Sequence, residues 1–319
     1  MDMSLARAQQ TAPPEESFAD SLFAGLGKAP KEISCKYFYD QEGSQLFERI
    51  CTLPEYYQTR TETLLLASHA QEIAQLMGGD IEIVEFGAGA SQKVRILLDT
   101  GHVQAYSPLD ISGDYLREVV IALAADYPTL TMRPLIGDFT RPLEIPALPG
   151  TQRRAGFFPG STIGNMQPEV ARHFLTRVAR LCGHSGGLII GVDLQKSRNV
   201  LEAAYNDSAG VTALFNLNML VRANRELGAD FDLPQWRHRA IYNQDAHRIE
   251  MHLISERPQT VHLGQDEFHF EPGEKIITEF SYKHTIEGFS ALAASAGFQF
   301  SRVWTDPRKF FAVFHFTTL

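Results

Sequence analysis

The chain is predicted to be an α/β protein. Its expected frame is a doubly wound, seven-stranded sheet, mostly parallel with an antiparallel strand at its end, carrying a second α+β domain as an insertion. Three observations predict this. Apolar β-type runs alternate with amphipathic helical runs through the middle of the chain. A glycine turn, Glu85-Phe86-Gly87-Ala88-Gly89-Ala90-Ser91, follows the first of those runs (Ile81, Ile83, Val84). Residues 195–283, about ninety positions, then separate the fifth strand from the last helix, too many for a structureless loop.

In chain order, periodicity predicts strands at 81–86, 103–109, 131–136, 155–159 and 187–193. Helices are expected between them at 61–77, 91–99, 113–126 and 168–182. Thr59 and Glu62 form a capping-box pair directly before Leu64-Leu65-Leu66, which predicts a helix start there. From His284 the pattern reads as helix 285–296, strand 298–304 and strand 309–317. Five βα units, a helix and two closing strands specify the sheet order above. The insertion holds one helical run, 199–225, and alternating runs such as Ile249-Glu250-Met251-His252-Leu253. Domains are therefore expected at 61–194 with 284–319, and at 17–60 with 195–283. Residues 1–16, with Gln9-Gln10 and Pro13-Pro14, read as a poorly ordered leader.

Composition narrows the function classes. With 44% hydrophobic and 21% charged residues, the 319-residue chain is an ordinary globular protein with room for a substantial core. A formal net charge of −9 argues against nonspecific nucleic-acid binding, which needs a basic face. The three cysteines, Cys35, Cys51 and Cys182, are odd in number and dispersed, so no disulfide framework is expected and a reducing cytoplasm is the default. No apolar run approaches membrane-spanning length. A monomer acting on a small molecule is expected.

The glycine turn points to a nucleotide-type ligand. Gly87 and Gly89 permit a tight turn and a close backbone approach that side chains would block. A dinucleotide fingerprint would place a third glycine where this chain has Gln92. The turn therefore argues against NAD and for S-adenosylmethionine, which brings no pyrophosphate to a helix N-terminus. Asp110, 21 positions after Gly89, stands where a second-strand carboxylate reaches a ribose. Asp138 ends the third strand as an acceptor for an adenine amino group, with Phe139 beside it to stack. Lys93, on the turn after the loop, suits a ligand carboxylate. The competing readings are bland: strand-end acids that cap turns, a core aromatic, a solvated lysine.

A second set of residues lies outside this loop. Lys36-Tyr37-Phe38-Tyr39-Asp40 and Leu53-Pro54-Glu55-Tyr56-Tyr57-Gln58 flank a short amphipathic helix that carries Phe47, and Pro159-Gly160-Ser161-Thr162-Ile163-Gly164-Asn165 follows the fourth strand. With Ala203-Ala204-Tyr205-Asn206-Asp207, Asn224-Arg225-Glu226-Leu227, Arg248-Ile249-Glu250-Met251 and Thr278-Glu279-Phe280-Ser281, these segments resemble the histidine Nα-methyltransferases of the ergothioneine pathway. The resemblance runs from about Lys36 to the C-terminus. It implies a class I methyltransferase sheet and S-adenosylmethionine-dependent trimethylation of the α-amino group of L-histidine to hercynine, without a metal. Tyr56, Glu279 and Ser281 then fall where the family contacts the imidazole, with Met251 as an adaptable wall. Asn165 and Tyr205 fall at the α-carboxylate, Tyr39 near the amine, and Phe47 and Gly160 along the pocket. Gly87, Gly89, Lys93, Asp110, Asp138 and Phe139 match the cofactor positions. Ala88 and Ala90 depart from the Ser- or Thr-like residues the pattern leads one to expect.

Singly, these residues would be read otherwise: half-buried packing tyrosines, a core methionine, a solvent-facing Glu279. Their occurrence together and in order carries the assignment. Glu279 and Ser281, two apart on an alternating run, point to one face of a strand and offer an acceptor and a hydroxyl to two ring nitrogens. A related enzyme for tryptophan-like amines would lack that polar pair. A degenerate binding protein would lack the glycines and strand-end acids. A metal site on His252, His262 and His269 lacks the tight ligand pairs of zinc sites.

Overall fold

A computed structural model describes residues 6–7, 9–10, 16–89, 91–148, 150–151 and 153–319. The chain divides into two compact units. One takes in Arg60–Leu194 and His284–Leu319, the other Pro14–Thr59 and Gln195–Lys283.

The first unit is built on a sheet whose path runs Ala6–Arg7, Leu135–Ile136, Val103–Asp110, Ile81–Phe86, Arg153–Phe158, Gly187–Asp193, Phe311–Thr318, Phe298–Thr305. Thr131–Met132 pairs beside Val103–Asp110, so the expected strand 131–136 is split into two short pieces. Phe311–Thr318 runs antiparallel to both its neighbours. The antiparallel strand is thus one place in from the edge, because the last hairpin folds back between the fifth strand and its own partner. Gly187–Asp193 is buried at every position, as a parallel strand covered on both faces must be. Alternation sorts the side chains: Ile83, Phe157 and Ile189 join one apolar layer, and Val84, Phe158 and Ile190 the other. Helices Tyr57–Met77, Gln92–Leu98 and Gly113–Asp126 bring Leu66, Val94 and Leu123 to the first layer. Helices Pro168–Cys182 and Ile286–Ser295 bring Phe174 and Phe289 to the second. Two-faced covering of a mostly parallel sheet is the doubly wound α/β class.

Of the leader, Ala6–Arg7 pairs with Leu135–Ile136 and Gln9–Gln10 with Leu143–Glu144. The remaining part up to residue 15 lies outside the described residues, as does Ala90 of the glycine turn.

The second unit is α+β. Its sheet runs Trp236–Asn243, Arg248–Ser255, Lys275–Tyr282, Lys31–Glu32, with a separate hairpin Gln259–Leu263/Asp266–Phe270. Helix Val211–Leu227 is tied to this sheet through buried Asn216, which donates to the His252 carbonyl (3.1 Å) and accepts from Thr278 Oγ1 (2.7 Å). It is tied to helix Gln41–Thr52 through Asp40, whose carboxylate accepts from Asn218 (2.8 Å) and Arg225 (2.6 Å) and caps that helix at Gly43.

Two expected helix boundaries are corrected. The run 199–225 is two helices, Arg198–Tyr205 and Val211–Leu227. Between them the Asp207 carboxylate accepts from the N–H groups of Val211 (2.9 Å) and Thr212 (2.7 Å), and Gly210 takes a left-handed φ of 71°. Thr59 and Glu62 do not cap a helix start, because the helix already begins at Tyr57. Glu62 is buried and turns to the Gly160 N–H (2.9 and 2.8 Å to its two oxygens) and to the Lys93 ammonium.

Candidate functional site

In the first unit the chemistry collects at the carboxyl ends of the parallel strands, the edge where open α/β sheets bind ligands. Gly87 and Gly89 adopt φ of 69° and 48°, which only glycine holds without strain. The Gly87 and Ala88 N–H groups donate to the Leu109 carbonyl (2.9 and 3.2 Å), so the turn hangs from the end of the second strand. Asp110 closes that strand. One of its oxygens accepts from the Gly89 N–H (3.0 Å) and the other from the Ser112 N–H (2.9 Å). A carboxylate has about four acceptor sites, so each oxygen retains capacity for a hydroxyl. Among the described residues, a Cβ on Gly89 would meet nothing within 4 Å. Open space above a glycine turn with an acid beside it fits a ribose-bearing ligand such as S-adenosylmethionine.

Asp138 is buried, and one oxygen accepts from the backbone N–H (2.8 Å) and hydroxyl (2.5 Å) of Thr140. Phe139 is half-buried, its ring 5.4 Å from Phe158 and 5.9 Å from Phe174, and a Cβ on Gly87 would touch it at 3.2 Å. Lys93, expected at a ligand carboxylate, is ion-paired with Glu62. Gly160, at φ 83°, gives its N–H to the same carboxylate. Asn165 ends the short turn Thr162–Asn165 and is half-buried. Glu85, which heads the glycine turn in the sequence and carries no expected role there, is buried behind it. Burial pushes its carboxyl up to about 8, and Tyr106, bonded in turn to Ser91 (2.8 Å), donates to it.

The second unit gathers most of the predicted substrate residues into one basin. Aromatic rings follow one another edge to face: Tyr39 on Phe47 (5.5 Å), Phe47 on Tyr56 (6.1 Å), Tyr56 on Tyr205 (6.3 Å). Phe215, which the sequence pattern did not single out, completes the wall 6.0 Å from Phe47 and 5.8 Å from Tyr39. Strand Lys275–Tyr282 supplies the polar floor. Glu279 pairs across the sheet with Met251, which puts both side chains on one face, and Ser281 follows two residues on. The Ser281 hydroxyl accepts from Tyr205 OH (2.9 Å) and from the Lys283 ammonium (2.8 Å), which also reaches Tyr205 OH (3.1 Å). Tyr205 is thus bonded to Ser281, although the two were assigned to opposite ends of the ligand.

Electrostatics agree with a polar-lined basin. Burial pushes Glu279 up to about 7, against the pull of the Lys283 charge. Burial and then the Glu279 carboxylate hold the Tyr39 phenol well above its ordinary range, although the residue is 47% exposed. Burial does the same for Tyr56. Both phenols are therefore neutral hydroxyls at physiological pH, able to donate or accept. Lys283 was missed, yet it continues the alternation Glu279, Ser281 by one more step.

The three histidines weighed as metal ligands are accounted for separately. His252 lies against Glu250 (3.1 Å), burial pushing its imidazole down to about 4. His262 bonds Asp230 (2.8 Å), and His269 bonds Thr260 (3.0 Å). Among the described residues no group of three or more His, Cys, Asp or Glu is arranged to hold a metal ion, and no helix is long and apolar enough to cross a membrane.

A doubly wound sheet of this order, with a two-glycine turn on its first strand and an acid ending its second, defines an S-adenosylmethionine-dependent methyltransferase. The pattern of the SAM-dependent, histidine-specific methyltransferases matches residues 18–318, and the chain belongs to that family. It is 40% identical over 313 residues to the histidine N-alpha-methyltransferase of Mycolicibacterium smegmatis, covering 96% of this chain and 97% of that one. It is 30% identical to ergothioneine biosynthesis protein 1 of Neurospora crassa, over 86% of this chain and 32% of that longer protein. It is 27% identical to the 4-dimethylallyltryptophan N-methyltransferase easF of Epichloe festucae var. lolii, over 92% of each.

Proposed function

We infer that this protein transfers methyl groups from S-adenosylmethionine to the α-amino nitrogen of L-histidine, three in succession, giving hercynine for ergothioneine biosynthesis. The observation that carries the substrate is the pairing of Glu279 and Ser281 on one strand face inside an aromatic basin. An imidazole needs a defined partner at each ring nitrogen, and this face offers a carboxyl and a hydroxyl. Family membership and the identity to the mycobacterial enzyme support the same reading. The tryptophan alternative is not favoured: an indole would leave the half-buried Glu279 or the buried Ser281 without a ligand partner, and a mismatch of this kind costs on the order of 10⁴-fold in discrimination.

The donor supplies an electrophilic methyl. An amine is a good nucleophile once neutral, so the chain has to align it, strip its water and accept its proton. Tyr39 is assigned to orient the amine and pass the proton outward. Tyr56 and Met251 are assigned to the ring, Phe47 to the pocket wall beside them and Tyr205 to the α-carboxylate; Gly160 and Asn165 keep the roles that the family resemblance implies. Gly87, Gly89, Asp110, Asp138 and Phe139 are assigned to the donor. Lys93 joins them if the donor's carboxylate displaces Glu62 from it. The protein is proposed to act as a cytoplasmic monomer.

The test is a pair of affinities. Glu279→Ala should weaken histidine at least a hundredfold while leaving S-adenosylhomocysteine within about twofold, by calorimetry; roughly a hundredfold is the 2.7 kcal/mol of one buried polar partner lost. Equal losses for both ligands would show that the residue has been misplaced.

A further inference from the structure

We propose that Lys283 is a specificity-determining positioning residue, which fixes the Ser281 hydroxyl as a hydrogen-bond donor and so makes the basin select one neutral tautomer of the substrate imidazole. The inference rests on the proposed seating of the ring against Glu279 and Ser281.

Lys283 is 2% exposed, and its ammonium lies 2.8 Å from Ser281 Oγ and 3.1 Å from Tyr205 OH. It also stands 5.0 Å from the centre of the Tyr205 ring, within cation–π range. An ammonium has three hydrogens to give and no lone pair, so both hydroxyl oxygens accept from it. Tyr205 OH then gives its own hydrogen to Ser281 Oγ, 2.9 Å away. A serine hydroxyl has two lone pairs and one hydrogen. Both lone pairs of Ser281 are occupied, and what it presents to a ligand is its hydrogen.

A ring nitrogen facing Ser281 must therefore be bare. The other, facing the Glu279 carboxylate, must carry the hydrogen. One neutral tautomer satisfies both partners. The opposite tautomer sets hydrogen against hydrogen at Ser281 and lone pair against lone pair at Glu279, and imidazolium fails at Ser281. Without the ammonium, Ser281 is free to rotate and accept, and the selection is lost.

Histidine labelled with ¹⁵N in the ring, bound to the S-adenosylhomocysteine complex above pH 7, where Glu279 is an acceptor, reads the tautomer directly. The unmodified protein should show one protonated and one bare ring nitrogen. Lys283→Met should merge these towards an average and weaken histidine about tenfold, with S-adenosylhomocysteine affinity unchanged. Lys283→Arg, which restores the donors, should recover the separate signals. Two protonated nitrogens in the unmodified protein would overturn the proposal without recourse to any variant. So would a Lys283→Met protein that keeps the single tautomer. If Glu279→Ala and Ser281→Ala both leave histidine affinity unchanged, the seating of the ring falls and this inference with it. If they weaken it and Lys283→Met does nothing, only this inference falls.

Discussion

Glu279 shows how far one residue's role depends on its surroundings. On an alternating strand it reads as a solvent-facing acid, yet burial moves its carboxyl from the ordinary 4.5 to about 7. Below pH 7 it is mostly protonated and has a hydrogen of its own to place; above pH 7 it is an acceptor for a ring N–H. Histidine affinity should therefore rise as pH rises through about 7. Glu279→Gln, which cannot ionise, should lose that limb while histidine's own titrations remain in both proteins. Calorimetry with the S-adenosylhomocysteine complex between pH 6 and 8.5 checks this, and parallel profiles would remove Glu279 from the binding step. Lys283 illustrates the reverse difficulty. Its alternation with Ser281 was legible, but a lysine at a strand end is read as solvated, and its burial comes from Tyr205 and neighbours remote in sequence.

At the scale of elements, the periodic pattern located nearly all strands and helices of the first unit, because each buries its own regular face. The misplaced boundaries were set by side chains acting across the chain. Asp207 ends one helical run and starts another by accepting from Val211 and Thr212, so Asp207→Ala should cost about 1–2 kcal/mol in urea unfolding. A change within ~0.5 kcal/mol would mean the cap does not hold the helix start. Glu62 looked like a capping residue and is a buried tie between Lys93 and Gly160. Gly191 makes room for it, since a Cβ there would lie 1.8 Å from a Glu62 oxygen. No local pattern records that a glycine in one strand exists for a glutamate 129 positions earlier (191 − 62).

For the whole molecule, the assignment of the strand-end edge to the donor predicts a linkage effect. S-adenosylhomocysteine at 100 times its dissociation constant should stabilise the folded chain by about 2.7 kcal/mol, read as a raised unfolding temperature, and no shift would remove that edge from consideration. The sequence by itself determined the doubly wound class, the glycine turn with Asp110, and the family, because these depend on local periodicity, backbone freedom and residues in order. Tertiary structure alone decided that the antiparallel strand lies inside the edge, that Lys93 is held by Glu62, and that Lys283 completes the polar floor under Ser281. The physical reason is that hydrogen-bond partners and burial are properties of neighbours in space, and a buried charge goes to whichever partner the packed chain brings within reach.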